Sequence, residues 1–138
     1  MNAKIRQKMN CNRRKHLPNA IGGILWFGVD DTYSTVYFPV YCNNNKIPKS
    51  FSEGVAGLFD FSWESAFWVF NFVSNFTYLR YNMMIKDVQK LQQKIENDYF
   101  AQQPIIEKKA IDYYNQSPEK AIAYLTNYSI ACGDSLTK

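Results

Sequence analysis

Histidine is nearly absent from this chain: His16 is the only one among 138 residues. A Ser-His-Asp triad needs a histidine held against a nucleophile, and His16 lies in a stretch with no helical or strand period. No GxSxG elbow occurs either. Cysteine is also scarce. Cys11, Cys42 and Cys132 are three in number and widely spaced, which argues against a disulfide framework and against a CxxC metal or redox site. Zinc chemistry has no clustered ligands, Gly22-Gly23 lacks the spacing of a phosphate-binding loop, and no cofactor is expected. The longest uncharged run, Ser65 to Leu79, is 15 residues, short of the ~20 apolar residues a spanning helix needs, and it carries Asn71 and Asn75. A membrane partner is therefore not expected, and nothing at the N-terminus resembles a signal peptide.

What the chain does have is aromatic surface. Phe, Tyr and Trp make up 17% of it, and each ring brings roughly 150–250 Å² that favours burial. The length fits one domain, and 46% hydrophobic with 20% charged residues is ordinary for a globular protein. The net charge of +4 is uneven. Lys4, Arg6, Lys8, Arg13, Arg14 and Lys15 place six positive charges and no acid in the first twenty residues, leaving the remainder slightly acidic. A basic tail of this kind suits nucleic acid or anionic lipid. With no accompanying binding motif, a solvated segment is the simpler reading.

Residues 1–20 read as a basic, loosely structured lead-in. IGGILWFGV (21–29) and TYSTVYFPVY (32–41) read as two strands of a hairpin over 21–41, with Asp30-Asp31 at the turn. The first is apolar on both faces, as in a strand inside a larger sheet, so further strands are expected from outside the segment. Pro39, lacking a backbone donor, suits a strand end or sheet edge. Residues 42–61 are rich in turn formers and read as a long loop. No Gly or Pro interrupts Trp63 to about Phe100, where Phe67, Phe70, Ser74, Thr77, Tyr81, Met84, Val88, Leu91 and Ile95 make a helical seam. Such a helix would be roughly 57 Å long, so it should bend, break or project. Ser62 is its expected cap. A second helix is expected over about 104–115, with Pro104 in its first turn, and a third over 118–133, started by Ser117-Pro118-Glu119. The fold class is thus α+β: one β-hairpin followed by three helices.

Several blocks, in order, resemble one family: PNAIGGILWFGVDD with VYFPVY, the IPKSF loop, FSWESAFWVFNFVSNFTYLRYNMMIKDVQ, and AIAYLTNYS. From Pro18 to Leu136 the chain resembles the C-terminal portion of the cysteine dipeptidases of the N-terminal nucleophile hydrolases, to which the secernins are related. The resemblance implies a four-layer αββα fold of which this is a part, and hydrolysis of dipeptides by an N-terminal cysteine. In that chemistry a thiolate attacks the peptide carbonyl, the α-amine of the same residue handles its proton, and an acyl-enzyme is hydrolysed. The catalytic nucleophile is expected upstream, so no catalytic residue is assigned here. NRRKHLPN after Cys11 lacks the Thr- and Gly-containing pattern that follows the family nucleophile, and basic neighbours lowering its pKa are the one feature in Cys11's favour.

Asn71 and Asn75 lie one turn apart and would share a face, where their amides either lock helix packing or reach a substrate in one cavity. Arg80 is a candidate for a substrate carboxylate, with an ordinary salt bridge as the alternative. The implied partners are a dipeptide substrate and the missing N-terminal half of the same enzyme, with homo-oligomerisation left open. Two other readings stand beside this one: a noncatalytic helical module docking through its aromatic surface, and a nucleic-acid-binding protein using the basic tail, whose binding would fall steeply with salt.

Overall fold

Along β2 (Gly23–Phe27), Ile24 and Trp26 are buried while Gly23, Leu25 and Phe27 are half-buried, the alternation of a strand with one face packed harder than the other. The structure, a computed structural model, describes residues 12–52, 54–57 and 59–138. Two neighbours flank β2, both antiparallel. β1 (Asn12–Arg13) pairs Asn12 with Ile24 and Arg13 with Gly23. β3 (Phe38–Tyr41) pairs Ile24 with Tyr41 and Phe27 with Phe38. The described sheet therefore has three strands in the order β1-β2-β3. The lead-in contributes its first strand and a four-residue helix, α1 (Asn19–Gly22), while residues 1–11 lie outside the described set.

The expected second strand, 32–41, is shortened to its last four residues. Asp31 explains the start: its carboxylate accepts from the Tyr33 amide at 3.2 Å and the Ser34 hydroxyl at 3.0 Å, and its carbonyl accepts from the Ser34 and Thr35 amides. That turn, with Asp30 at a φ of 65°, directs residues 34–37 inward without a strand partner. Their backbone is met by side chains instead. The Gln92 amide donates to the Thr35 carbonyl, and Glu96 accepts from the Tyr37 amide at 3.1 Å. Because the Cys42 amide bonds the Gly23 carbonyl, alternate residues of β3 turn outward, Pro39 among them. The outer edge of β3 thus lacks a donor at Pro39, which blunts it against further pairing.

The long helix expected from Trp63 onward is two helices. α2 (Ala66–Leu79) starts one turn late, because Ser65 is extended (φ −91°, ψ 121°) and Ser62 spends its hydroxyl on the Glu64 amide at 3.1 Å. It ends where Arg80 leaves helical geometry (φ −142°, ψ 57°). α3 (Tyr81–Tyr114) then runs for 34 residues, about 51 Å. The break resets the helical phase: Phe70, Ser74 and Thr77 are buried as the seam requires, but Tyr81 and Leu91 are exposed, and Ile85, Gln92, Glu96 and Tyr99 face inward in their place.

Pro104 lies inside α3 and does not begin a separate helix. A mid-helix proline removes one hydrogen bond and costs about 3 kcal/mol. Burial on both sides, at Tyr99 and Ala110, offsets that loss. α4 (Pro118–Ser135) begins as the Ser-Pro-Glu signal requires, with Ser117 extended and Pro118 in the first turn.

The core gathers Ile21, Ile24, Phe38, Tyr41 and Leu125, each no more than 1% exposed. The Trp26 ring lies 4.3 Å from that of Phe100, so this face of the sheet rests on α3, while Phe27, Phe38 and Phe51 form a second ring cluster. α4 closes on it through Gly133, against Pro48 and Phe38. Among the described residues no helix is long and apolar enough to cross a membrane.

Candidate functional site

Three groups of functional side chains stand out, and they do not converge. The first is a charged cluster where the lead-in meets α3. The Arg14 guanidinium pairs with Glu107 and donates to the Ile21 carbonyl at 3.1 Å. The same carboxylate oxygen accepts from the Tyr41 hydroxyl at 3.2 Å and from the Gln103 amide at 2.9 Å. Burial, reinforced by the Glu107 charge, pushes the Tyr41 phenol far above its ordinary range, so it stays a donor. Beside the cluster opens a cavity of about 440 Å³ bordered by Arg14, Lys15, Asn19, Gly23 and Cys42. Arg14 is committed to Glu107, and Lys15 is the exposed cation at the rim.

The thiols form the second group. Cys42 is exposed at the mouth of that cavity, and Cys132 is 6% exposed inside α4. Burial pushes the Cys132 thiol up to about 11, partly offset by the Tyr128 hydroxyl, so at neutral pH it is protonated and a poor nucleophile. His16 is exposed. Cys11 lies outside the described residues. Among the described residues, no three or more of His, Cys, Asp and Glu are grouped to hold a metal.

The third group holds the residues proposed from the sequence. Asn75 donates to the backbone and side-chain oxygens of Asn71, both at 2.9 Å, and Asn71 donates to Asp30 at 3.3 Å. They share a face, as one helical turn requires, but that face is on the surface: Asn71 is half-buried and Asn75 exposed. Arg80, at the end of α2, is exposed and joins neither amide. Sequence reasoning missed Arg14, Tyr41, Gln103 and Glu107. The one local signal was Gln103 and Glu107 at i, i+4, and the expected helix boundary at Pro104 concealed it.

Around these groups an apolar flank is left open. Phe61, Trp63, Phe72 and Phe76 touch ring to ring, with centroids 4.7–6.4 Å apart, yet each is 46–58% exposed. Leu79 is 73% exposed at the end of the same stripe.

The described residues form an α+β segment with helices over a small antiparallel sheet. Residues 3–94, about two thirds of the chain, match Peptidase family C69, and the chain belongs to that family. This is the dipeptidase A and secernin family. The AIAYLTNYS block lies beyond the matched residues. No curated protein and no solved structure matches the chain.

Proposed function

We propose that this chain is the C-terminal portion of a cysteine-type dipeptidase of the N-terminal nucleophile class, inactive alone, whose nucleophile comes from a Cys-led segment outside it. The observation that carries this reading is the match of residues 3–94 to a peptidase family in a chain whose buried thiol, Cys132, is pushed up to about 11 and so held protonated at neutral pH. Acyl transfer needs a thiolate and a base within reach of one another. In the complete enzyme the leading cysteine attacks the peptide carbonyl, its own α-amine takes the thiol proton and delivers it to the departing amine, and water releases the acyl group. Asn71, Asn75 and Arg80 are the residues of this chain assigned to the substrate in that assembly. Arg80 meets the dipeptide carboxylate and the two amides meet its backbone. The open aromatic flank supports the reading further, since a chain that completed its own fold would cover more of those rings.

The test is complementation. Co-expression with a Cys-led segment encoded immediately upstream is expected to yield dipeptide hydrolysis that vanishes when the leading cysteine becomes alanine. Hydrolysis by this chain alone, or inactivity of the purified pair, overturns the proposal.

A further inference from the structure

Neither Gly nor Pro occurs between Trp63 and Phe100, and the seam of steps of three and four runs from Phe67 through Tyr81 to Ile95 without a gap. On one continuous helix that seam would drift about 20° per heptad, roughly 80° in all, and stay on one side. The folded chain breaks it at Arg80, and Tyr81 and Leu91 turn to solvent. At the break the Arg80 amide bonds the Thr77 carbonyl at 3.2 Å and the Met83 amide bonds the Arg80 carbonyl at 3.0 Å. Both span three residues, where a continuous helix spans four. A short 3-10 stretch inside a long helical run often marks a hinge.

Beyond the break, α2 folds back on α3. Val69 and Ile95 border one cavity of about 420 Å³, whereas a continuous helix would hold them roughly 39 Å apart. Phe70 and Val73 of α2 face Val88 and Leu91 of α3 across the same space. Walls that face open space lack the contacts of a packed interface, so little is lost when they part. α2 also rests on the short turn at Lys49–Phe51, but Phe70 is the one large ring it buries. The Thr77 hydroxyl is satisfied within α2, donating to the Val73 carbonyl at 2.6 Å. Polar ties that leave α2 lie at the surface: Trp68 Nε1 donates to the Gly57 carbonyl at 3.1 Å, the Asn71 amide to Asp30 at 3.3 Å, and Tyr78 stands beside Asp31. Water replaces such bonds at small cost.

We infer that Arg80 is a hinge and α2 an arm that swings, as an intact helix, between the folded-back state and a straight state continuous with α3. Straightening restores four-residue spacing to the bonds around Arg80 and gives up one buried ring. The straight state is a minor population, on the order of 0.1–10%. Swinging the arm uncovers Ser74 and the apolar walls of the cavity. The inference does not rest on the dipeptidase reading, because it concerns the chain by itself.

Thiol labelling of the native full chain carrying Ser74→Cys, read peptide by peptide in a mass spectrometer, tests it. Ser74 is 4% exposed, and Cys132, 6% exposed in α4, reports global unfolding in the same molecule. The thiol at position 74 is expected to react at least about tenfold faster than Cys132, because its rate follows the population of the open arm. Tyr81→Pro should slow it about tenfold or more relative to Cys132, since proline is tolerated in the first turn of α3 but does not continue a helix from α2. Arg80→Gly should slow it about fourfold, because glycine is disfavoured inside the straight helix, whereas position 80 is already non-helical in the folded-back state. Equal rates at positions 74 and 132 would mean that α2 leaves only when the whole chain unfolds, which overturns the hinge. Fast labelling that either folded variant leaves unchanged or accelerates would mean that α2 frays in place, and overturns it as well. Should Tyr81→Pro unfold the chain, as Cys132 would report, Arg80→Gly decides alone. Loss of dipeptidase complementation would leave these rates intact, so the two proposals fail separately.

Discussion

The sheet with α3 and α4, and the flank of α2, are built from the same residue types and meet opposite fates. Phe38 and Tyr41 are each 1% exposed, while Phe72 and Phe76 are about half exposed. Position against a neighbour decides the difference. Phe38 lies over Phe51 with Gly133 of α4 close beside it, and Tyr41 is held by Glu107 of α3. α2 rests on α3 and on the short 3-10 turn at Lys49–Phe51, and what it buries is mostly small: Ala66, Ser74 and Thr77, with Phe70 as the one ring. Hydrophobicity alone therefore does not say which aromatic helix is core. The supply of partner surface does.

The largest expected effect contrasts two leucines. Leu125→Ala, at 1% exposure, should cost about 2–5 kcal/mol by denaturant unfolding, whereas Leu79→Ala, at 73%, should stay within about 0.5 kcal/mol. Equal losses at both positions would erase the distinction between core and flank. Glu107→Ala removes the shared acceptor of Arg14, Tyr41 and Gln103, and about 2–3 kcal/mol should follow from leaving part-buried donors unpaired. Thermal unfolding of Glu107→Ala beside Glu64→Ala, an exposed pair worth about 0–1 kcal/mol, measures that difference directly.

Gly133→Ala probes the tightness of the α4 contact. A Cβ there would meet Pro48 Cβ at 2.8 Å and Phe38 Cε2 at 3.1 Å, so about 1–3 kcal/mol of overpacking is expected in chemical unfolding. The smallest effect is a pH dependence. Cys132 titrates near 9 when unfolded and at about 11 when folded, so the folded state holds its proton more tightly. Its contribution is complete below about pH 9 and is lost as pH rises to about 11. Urea titrations over this window should show a steeper decline for the parent chain than for Cys132→Ala. A thiol reagent at pH 8 should label Cys42 fast and Cys132 only after denaturation.

Much of the architecture was legible in local chemistry. The strand at 23–27 follows from its apolar run, α4 from Ser117-Pro118-Glu119, and the edge position of β3 from Pro39. The α+β class follows from those elements in sequence. What escaped was decided by tertiary partners. No local signal marks Arg80 as a break, since arginine is a good helix former; the break is visible only in its backbone angles. Pro104 reads as a boundary but survives inside α3, because burial at Tyr99 and Ala110 outweighs the lost hydrogen bond. Residues 34–37 look like strand and are instead satisfied by Gln92 and Glu96, nearly sixty positions away. Of the site residues, the joining of Asn71 to Asn75 is a matter of helical spacing, and their place at the surface is not. The Arg14–Glu107 pair spans 93 positions, beyond any local pattern.

The most direct test of the account is a dipeptide hydrolysis assay on the purified chain with its three cysteines intact and, separately, all replaced by alanine. No turnover above background is expected from either protein. Turnover by the intact chain that disappears with its own cysteines would place the nucleophile within these residues and contradict the account.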